Sequence, residues 1–383
     1  MTPERAITFT KICVSINYYW PLSSGTSKLK MFFFNVLKVF AVLCTITVFL
    51  PLVYSAYLHF QQPAISSKSA IMAFACLHVI GQAIDSYIRH DLQQRLIEEM
   101  VAYCQNMEAY QRNILQEYID RFSPFYKGAT FWNTVSSFGM ILGALFLPQP
   151  YPLAAEYPFP VNYEPVKSLL YLHQSYVCLL CMSTLHSNLI VALLTLFASA
   201  RFEILMIDLR AAVTVTDLNN CMKQYYAVRK YAEDVVEGVQ YIAILTLATS
   251  VFNIVLCGLN IIGRQPTVVK VQFLFLVGTA LLIVFMCAWP AHNLMEVSEN
   301  TIYSVFDSIW YEQIVRMQKT VLQMLVPQTP IVISMRGVMT AFSLTYYSTY
   351  VSNGFSLFTT LRIVMETDDD IETMKTFNGT CCN

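Results

Sequence analysis

The sequence predicts an all-α membrane protein with seven transmembrane helices, a cytosolic N-terminus and helical extensions on the cytosolic side. Hydrophobic residues make up 56% of the 383 residues and charged residues 13%, against about 25% charged in an ordinary soluble domain. Apolar runs of about 20 residues or more, the length that crosses a bilayer as a helix, recur along the chain. Lysines and arginines concentrate in every second connecting segment, which is typical of a chain that crosses a membrane repeatedly.

The seven predicted spans are separated by short polar or charged connections. They cover residues 31–58, 69–87, 127–147, 166–200, 239–262, 271–294 and 337–364. The fourth span is too long for one crossing, so we expect it to tilt or to project beyond the bilayer. Residues 148–165 contain six prolines, which excludes a helix or a central strand and predicts an ordered loop or lid.

Three charged segments continue the apolar runs on one side of the membrane. Residues 89–121, 201–237 and 296–335 mix acidic and basic side chains with apolar residues at helical spacing. Because amphipathic helices need to bury their apolar faces, we expect the three segments to pack together and to bring subunits into contact. The predicted regions are a cytosolic segment 1–30, a six-helix transmembrane ligand-binding region 31–300 with cytosolic helix extensions, a cytosolic anchor segment 301–336, a last helix 337–364 and an extracellular tail 365–383.

The distribution of lysine and arginine predicts the orientation. With the N-terminus inside, sixteen of these residues fall in inside segments and six in outside segments. The single N-x-[ST] sequon, Asn378-Gly379-Thr380, agrees with an outside C-terminus. Five acidic residues in 366–372 form either a solvated end or a negative ring that concentrates cations.

The sequence lacks the patterns of an enzyme. It has no glycine-rich phosphate loop, no histidine pair at metal spacing and no nucleophile–base pair that spacing supports, so we expect no metal, cofactor or nucleic-acid partner. Among eleven cysteines, Cys178 and Cys181 form a C-x-x-C within an apolar helix, which is typical of helix packing. Asp85, an acid inside the second span, is placed to pair with Arg89 at i,i+4.

Two other classes of multi-helix membrane protein are alternatives. A G-protein-coupled or other seven-helix receptor is one, although the predicted N-terminus is inside, and the D-R-Y and N-P-x-x-Y motifs are missing. A small-molecule transporter is the other, although the sequence has no internal repeat and no pair of spans broken by glycine or proline. Ligand-gated current favours a channel, whereas saturable uptake without current favours a transporter.

The last predicted span is rich in hydroxyl side chains. Ser352, Ser356, Thr359 and Ile363 follow one another at helical spacing, so they share one face. In a membrane helix, such a stripe either packs against another helix through small polar residues or faces water in a pore. The pattern alone leaves both interpretations open.

Eight segments carry a resemblance that goes beyond composition. They are Tyr19-Trp20-Pro21, Leu147-Pro148-Gln149-Pro150, Glu156-Tyr157-Pro158-Phe159-Pro160, Val166-Lys167-Ser168, Leu172-His173-Gln174-Ser175, Ala200-Arg201-Phe202-Glu203, Ala288-Trp289-Pro290 and residues 355–362. In this order and at these spacings, they resemble the insect odorant receptors, in particular the branch expanded in ants, bees and wasps. The resemblance covers nearly the whole chain, although the tail is longer than is usual in that family.

The resemblance implies a tuning subunit of an odorant-gated, non-selective cation channel in the plasma membrane of olfactory sensory neurons. It implies assembly with odorant coreceptor subunits into a heteromeric tetramer, in which the last span of each subunit lines a central pore. The pore-lining residues that it implies are Ser356, Thr359, Thr360, Ile363 and Val364.

The resemblance also implies a pocket for a small volatile or hydrophobic odorant in the outer half of the bilayer, among spans two, three, four and six. Each candidate is either a ligand contact or a packing residue, and the two histidines are either contacts or hydrogen-bonded structural residues. The candidates in the outer halves of these spans are Met72, Cys76, His78, Val79, Phe138, Ile141, Leu142, Leu145, His173, Tyr176, Leu180, Phe275, Leu276 and Thr279.

Overall fold

A computed structural model of the chain describes residues 1–360 and 363, apart from residues 24, 147–150, 162, 264–265, 308–309, 325–327 and 336–338. In that part, the chain folds into eleven α-helices. They are α1 (Pro3–Cys13), α2 (Lys28–Leu58), α3 (Pro63–Ile88), α4 (His90–Asn106), α5 (Ala109–Phe146), α6 (Val166–His186), α7 (Asn188–Ala211), α8 (Val215–Ile262), α9 (Thr267–Asn300), α10 (Val315–Met324) and α11 (344–360). Two short 3-10 helices, Ile302–Asp307 and Trp310–Glu312, lie between α9 and α10.

Five helical stretches in the described residues are long and apolar enough to cross a membrane. They are α2, Ile65–Ile88 in α3, Val166–Ala211 formed by α6 and α7, α8, and Val269–Asn300 in α9. The chain is therefore an all-α, multi-pass membrane protein, as the sequence predicts. The third and seventh predicted spans fall on the second half of α5 and on α11, and the number of crossings and their orientation remain predictions.

Two helices are much longer than a bilayer crossing requires. Helix α5 has 38 residues and α8 has 48, and at 1.5 Å per residue α8 is about 72 Å long, more than twice the hydrocarbon thickness. A capping box begins α8, in which the Asp217 amide donates to Thr214 Oγ1 (3.1 Å) and the Thr214 amide to Asp217 Oδ2 (2.9 Å). We call the end of the bundle that contains the first halves of α5 and α8 the extension end.

Three segments that the sequence predicts as continuous helices are interrupted. Residues 89–121 are divided between α4 and α5, and residues 296–335 form the end of α9, the two 3-10 helices and α10. The fourth span is interrupted at Ser187, whose hydroxyl donates to the Thr184 carbonyl (2.6 Å), and Gln82 of α3 donates to the same carbonyl (3.3 Å). These side chains satisfy a carbonyl group at the break, so the interruption is tolerated in an apolar environment.

The three charged segments pack together at the extension end, as the sequence predicts. The Tyr231 hydroxyl donates to the Leu96 carbonyl (3.2 Å), which joins α8 to α4. Arg210 Nε donates to Asp307 Oδ2 (3.1 Å), which joins α7 to the first 3-10 helix. These contacts lie within one chain, so contact between subunits through the same segments remains a prediction.

The N-terminus lies at the same end of the bundle. The Met1 amino group is 3.2 Å from Asp120 Oδ1, and Gln116 Nε2 donates to the Met1 carbonyl (2.9 Å). Both partners belong to the first half of α5. The N-terminus and the helical extensions are therefore on one side of the molecule, whichever side of the membrane that is.

Candidate ligand cavity

An inner cavity of about 110 Å³ lies among α3, α5, α6, α8 and α9. Apolar side chains form most of its wall, for example Met72 of α3, Met140 of α5, Met182 of α6 and Leu276 of α9. Four of these five helices carry the spans that the sequence assigns to a ligand pocket. The fifth, α8, was not among them and contributes Asn253.

An outer chamber of about 550 Å³ adjoins the inner cavity between α5 and α9. The two share five lining residues: Met72, Ser136, Met140, Leu276 and Thr279. The chamber extends to Lys68 at the start of α3 and to Pro152 of the proline-rich loop. Small-molecule sites are typically about 300–1,000 Å³ and mostly apolar, so the two spaces together have the size and character of such a site.

A few polar groups interrupt the apolar wall. Trp132 Nε1 donates to Thr279 Oγ1 (3.0 Å), and its ring stacks on Phe275 at 4.9 Å between centroids. Thr279 in turn donates to the Phe275 carbonyl (3.0 Å). Asn133, only 1% exposed, also lines the inner cavity. Rigid aromatic packing thus holds the α5–α9 wall, while the carboxamide of Asn133 adds polarity to the inner cavity.

The proline-rich loop covers one end of the cavity, which we call the loop end. Leu153 lines the inner cavity, and its amide donates to Oε1 of the fully buried Gln174 (3.0 Å). Gln174 Nε2 donates to the Tyr157 hydroxyl (3.1 Å), and Ser69 Oγ donates to the Ala154 carbonyl (2.8 Å). The described part of the loop is tied to α3 and α6 through these bonds, so it forms an ordered cover, as the sequence predicts.

The structure brings some of the predicted pocket residues together. Met72, Cys76, Leu276 and Thr279 line the inner cavity, and Phe275 lines the outer chamber. These residues come from α3 and α9, and their contact with a ligand remains a prediction.

The predicted residues of α5 whose side chains are described line neither space. Phe138 and Leu142 are 45% and 48% exposed on the outside of the bundle. Ile141 packs in the apolar cluster that includes the lining residues Met72 and Cys76, but it does not itself border the inner cavity or the outer chamber. The side chain of Leu145 lies outside the described part. The lining residues are instead Asn133, Ser136, Ser137 and Met140, which at about 100° per residue occupy a face more than a third of a turn away.

The predicted residues of α6 also lie away from the cavity. His173 Nε2 is 3.2 Å from both Thr47 Oγ1 and the Cys44 carbonyl of α2. Tyr176 and Leu180 pack toward α2 in another apolar cluster. The lining residues Cys178, Cys181, Met182 and Leu185 occupy the nearly opposite face of α6.

The two remaining candidates on α3 line neither the inner cavity nor the outer chamber. His78 is buried between Gln82 Nε2 and Thr249 Oγ1, each 3.2 Å from a ring nitrogen. Val79 packs with Leu180 and Ala41. The bonded position of His78 fits the alternative of a hydrogen-bonded structural residue.

The polar lining residues of α5 carry a signal that the sequence argument did not use. Asn133, Ser136, Ser137 and Met140 recur at helical spacing, and three of these four residues are polar within an apolar run. Polar residues in a membrane helix face protein or water rather than lipid. That rule would have selected this face of α5 in place of the apolar one.

The last helix, α11, packs through one face and exposes the other. Tyr347 contacts Phe285 of α9 with ring centroids 5.2 Å apart, and a side-chain carbon at Gly354 would lie 3.6 Å from Ile254 of α8. On the opposite side, Ser356 and Thr359 are exposed. Within this chain, the hydroxyl stripe therefore does not serve as packing between helices.

The predicted pore residues on α11 lie along or beside this exposed face. Thr359 donates to the Ser356 carbonyl (2.8 Å), Thr360 to the same carbonyl (2.9 Å), and Ile363 is 64% exposed. Val364 lies outside the described residues. Bonding of each threonine to its own helix leaves the hydroxyl oxygens as acceptors on the surface.

The fold and the cavity define a class: a multi-pass helical membrane protein with an internal space of small-molecule size. The family described as 7tm Odorant receptor matches residues 68–355, well over half of the chain. The chain belongs to this family of olfactory receptors, which is a family of receptors rather than enzymes. The resemblance noted in the sequence is thereby confirmed.

Solved structures of an insect olfactory receptor have the same fold. The OR5 receptor from Machilis hrabei, in complex with eugenol, superimposes with a TM-score of 0.73 at 14% identity, covering 94% of this chain and 99% of that one. Another structure of OR5 gives a TM-score of 0.74 at 15% identity, with 94% and 97% covered. Comparison with curated protein sequences gives no match.

Proposed function

We propose that this odorant receptor is the tuning subunit of an odorant-gated, non-selective cation channel, and that the inner cavity binds the odorant. The observation that carries the proposal is the cavity itself. It is mostly apolar, covered by the ordered loop at one end, and adjoins a larger chamber between α5 and α9. Such a site suits a small volatile or hydrophobic molecule that reaches it from outside or from the bilayer.

The ligand contacts that we propose are the lining residues. Met72, Cys76, Leu276 and Thr279 remain from the sequence prediction, and Asn133 is added by the structure. The OR5 structure with eugenol supports a small organic ligand for a receptor of this fold. Phe138, Ile141 and Leu142 of α5 and the three candidates of α6 act through packing in this proposal, because they line neither the inner cavity nor the outer chamber.

The exposed face of α11 supports its role as the pore lining. Hydroxyl oxygens at Ser356, Thr359 and Thr360 replace part of the hydration of a passing cation without adding charge, which suits weak and non-selective conduction. When the subunits surround a common axis, the exposed hydroxyl faces of their last helices together form the wall of a pore. In this proposal the partners are odorant coreceptor subunits in a heteromeric tetramer, in the plasma membrane of olfactory sensory neurons with the extension end in the cytosol.

Helix α8 is placed to connect the cavity with the pore helix. Asn253 lines the cavity, and the next residue, Ile254, lies against Gly354 of α11. One helical turn on, a side-chain carbon at Gly258 would lie 3.5 Å from Phe358. Because closely packed helices move as rigid units, a ligand that shifts α8 also shifts α11.

The test is expression with an insect odorant coreceptor and recording of current during exposure to a panel of volatiles. The proposal expects an odorant-evoked cation current in cells that express both chains. The current is absent in cells that express the coreceptor alone. It is also absent in cells that express the coreceptor with a variant of this chain whose pore helix is blocked by a substitution. Saturable uptake of a compound without current would support a transporter instead. A response that requires a G protein would support the seven-helix receptor alternative.

A further inference from the structure

Asn133 differs from the other buried polar residues around the cavity. Its neighbours on α5 are bonded, since Trp132 donates to Thr279 (3.0 Å) and Thr134 to the Thr130 carbonyl (2.8 Å). Asn133 is 1% exposed, yet among the described residues neither its Nδ2 nor its Oδ1 has a hydrogen-bond partner. Both atoms belong to a residue that lines the inner cavity.

A second carboxamide on the wall is also incompletely bonded. Asn253 of α8 lines the same cavity, and its Oδ1 has no partner in the described part of the chain. Two helices thus present three unmatched polar atoms at one cavity: one donor group and two acceptors. A buried amide without a partner destabilises a protein, so the positions are better explained by a partner that enters the cavity than by packing.

We propose that Asn133 is the specificity-determining contact of the cavity and that it selects small apolar molecules carrying a hydroxyl group. The inference rests on the proposed function and names the ligand class for it. A hydroxyl oxygen accepts from Asn133 Nδ2, and the hydroxyl hydrogen is donated to a carboxamide oxygen of Asn133 or Asn253. An ether, ester or ketone only accepts and leaves both carboxamide oxygens unmatched, while a hydrocarbon leaves all three atoms unmatched.

The other residues of the cavity wall determine the chemical character of the rest of the ligand. Methionine, leucine and isoleucine side chains surround the polar atoms, so the body of the molecule is apolar. A charged group is disfavoured, because none of the residues that line the inner cavity carries a charge to pair with it. The selected class is therefore alcohols and phenols, not acids or amines in their ionised forms.

The experiment compares ligands of equal heavy-atom number in the wild type and in Asn133→Leu, each expressed with the coreceptor. One set is 1-hexanol, methyl pentyl ether and heptane, and the other is 4-methylphenol, methoxybenzene and ethylbenzene. For each set, the half-maximal concentration of the hydroxyl compound is expected to be about tenfold lower than those of its two analogues in the wild type. In Asn133→Leu, this advantage disappears, whereas the hydrocarbon acts as well as before or better.

The comparison contains its own controls. Partition into the bilayer cancels when the wild type is compared with Asn133→Leu, because each ligand is then compared with itself in two proteins. Thr134→Val removes a hydroxyl that bonds to its own helix one residue from Asn133, and it leaves the advantage of the hydroxyl compounds unchanged. Surface labelling is the control for assembly, and we expect it to detect similar amounts of wild-type and variant receptor at the cell surface.

A measurement without ligand keeps the inference testable if a variant expresses poorly. The melting temperature of the detergent-solubilised Asn133→Leu chain is expected to equal or exceed that of the wild type, since the amide has no partner among the described residues. A fall of several degrees would show a structural role for the amide and overturn the inference. An unchanged hydroxyl advantage in Asn133→Leu, or no advantage in the wild type, overturns it as well.

Experimental results that contradict the proposed function differ from those that contradict only the inference about hydroxyl groups. If no compound of either set, and no other volatile of the panel, evokes current in the wild type, the cavity is not an odorant site and the inference falls with it. If compounds of all three kinds evoke current equally well, the odorant site stands and only the selection of hydroxyl groups is wrong.

Discussion

Two buried polar regions of the bundle differ in how completely their groups are hydrogen-bonded. Near the extension end, Asp85 of α3 pairs with Arg89 and accepts from the Tyr19 hydroxyl (3.0 Å) and from Gln93 Nε2 (3.3 Å). In the cavity, the amide of Asn133 has no partner among the described residues. The first region joins the N-terminal segment, α3 and α4, whereas the second borders an open space. Polarity alone does not distinguish the two regions, whereas the presence or absence of hydrogen-bond partners does.

The Asp85 region also shows why a charge is tolerated at the end of a span. Gln93 Nε2 donates to the Tyr19 hydroxyl (2.8 Å) and to the Gly238 carbonyl of α8 (3.1 Å), so the acid is held in a network that crosses four parts of the chain. The pairing of Asp85 with Arg89 is confirmed, but the sequence did not indicate the partners on α4 and the N-terminal segment. Buried polar networks of this kind specify one arrangement of helices.

The largest expected effect follows from breaking this network. Asp85→Ala leaves Arg89 and the hydroxyl of Tyr19 without their acceptor, and removal of one partner of a buried pair typically costs about 3–5 kcal/mol. The amount of assembled receptor at the cell surface and the melting temperature of the solubilised chain are expected to fall sharply. Asp91→Ala, at a fully exposed side chain only six residues away, is the control and should leave both unchanged. A stable Asp85→Ala variant would contradict the structural role.

The next effect concerns the exposed face of α11, which lines the pore in the proposed assembly. In that pore, Thr360→Lys places a positive charge in a narrow passage, where repulsion of a cation at an effective dielectric of 20 is roughly 2–4 kcal/mol. Odorant-evoked current should fall or its reversal potential should move away from cation selectivity, while binding of the odorant is retained. Single cysteines from Ser352 to Thr360 should react with a water-soluble thiol reagent every third or fourth position. Reactivity without this period would return the stripe to helix packing between subunits.

A smaller effect is expected where the loop covers the cavity. Gln174→Leu leaves the buried amide of Leu153 without an acceptor, which costs about 1–3 kcal/mol. Hydrogen–deuterium exchange of residues 151–161 should accelerate, and the current should decay faster after the odorant is removed. Leu172→Ala, at a residue of the same helix that is 66% exposed, is the matched control. Unchanged exchange in Gln174→Leu would mean that the loop is held by its other contacts.

The smallest effect distinguishes the two faces of α5. Met140→Ala removes apolar contact from both spaces and is expected to raise the half-maximal odorant concentration by about fivefold, or roughly 1 kcal/mol. Phe138→Ala, two residues away and 45% exposed, should leave that concentration unchanged. The reverse result would restore the face of α5 that the sequence predicted.

Much of the architecture was predictable, because it depends on composition along the chain. Apolar runs and the six prolines of the loop indicated where the membrane helices and the cover lie. The breaks within helices were not predictable, since the interruption at Ser187 depends on Gln82, a residue more than one hundred positions away. A carbonyl group released in an apolar region needs such a partner, and the local sequence does not show whether one exists.

The sequence by itself determined that this protein is an all-α, multi-pass membrane receptor of the odorant receptor family, and it indicated four of the five helices around the cavity. Only the tertiary structure decided which face of each helix lines that cavity. In a soluble protein, water on one side makes the buried face visible as an apolar stripe. In a membrane, lipid, neighbouring helices and an apolar cavity favour the same side chains, so the faces of α6 look alike in the sequence until their contacts are known. On α5, the polar residues Asn133, Ser136 and Ser137 distinguish the lining face.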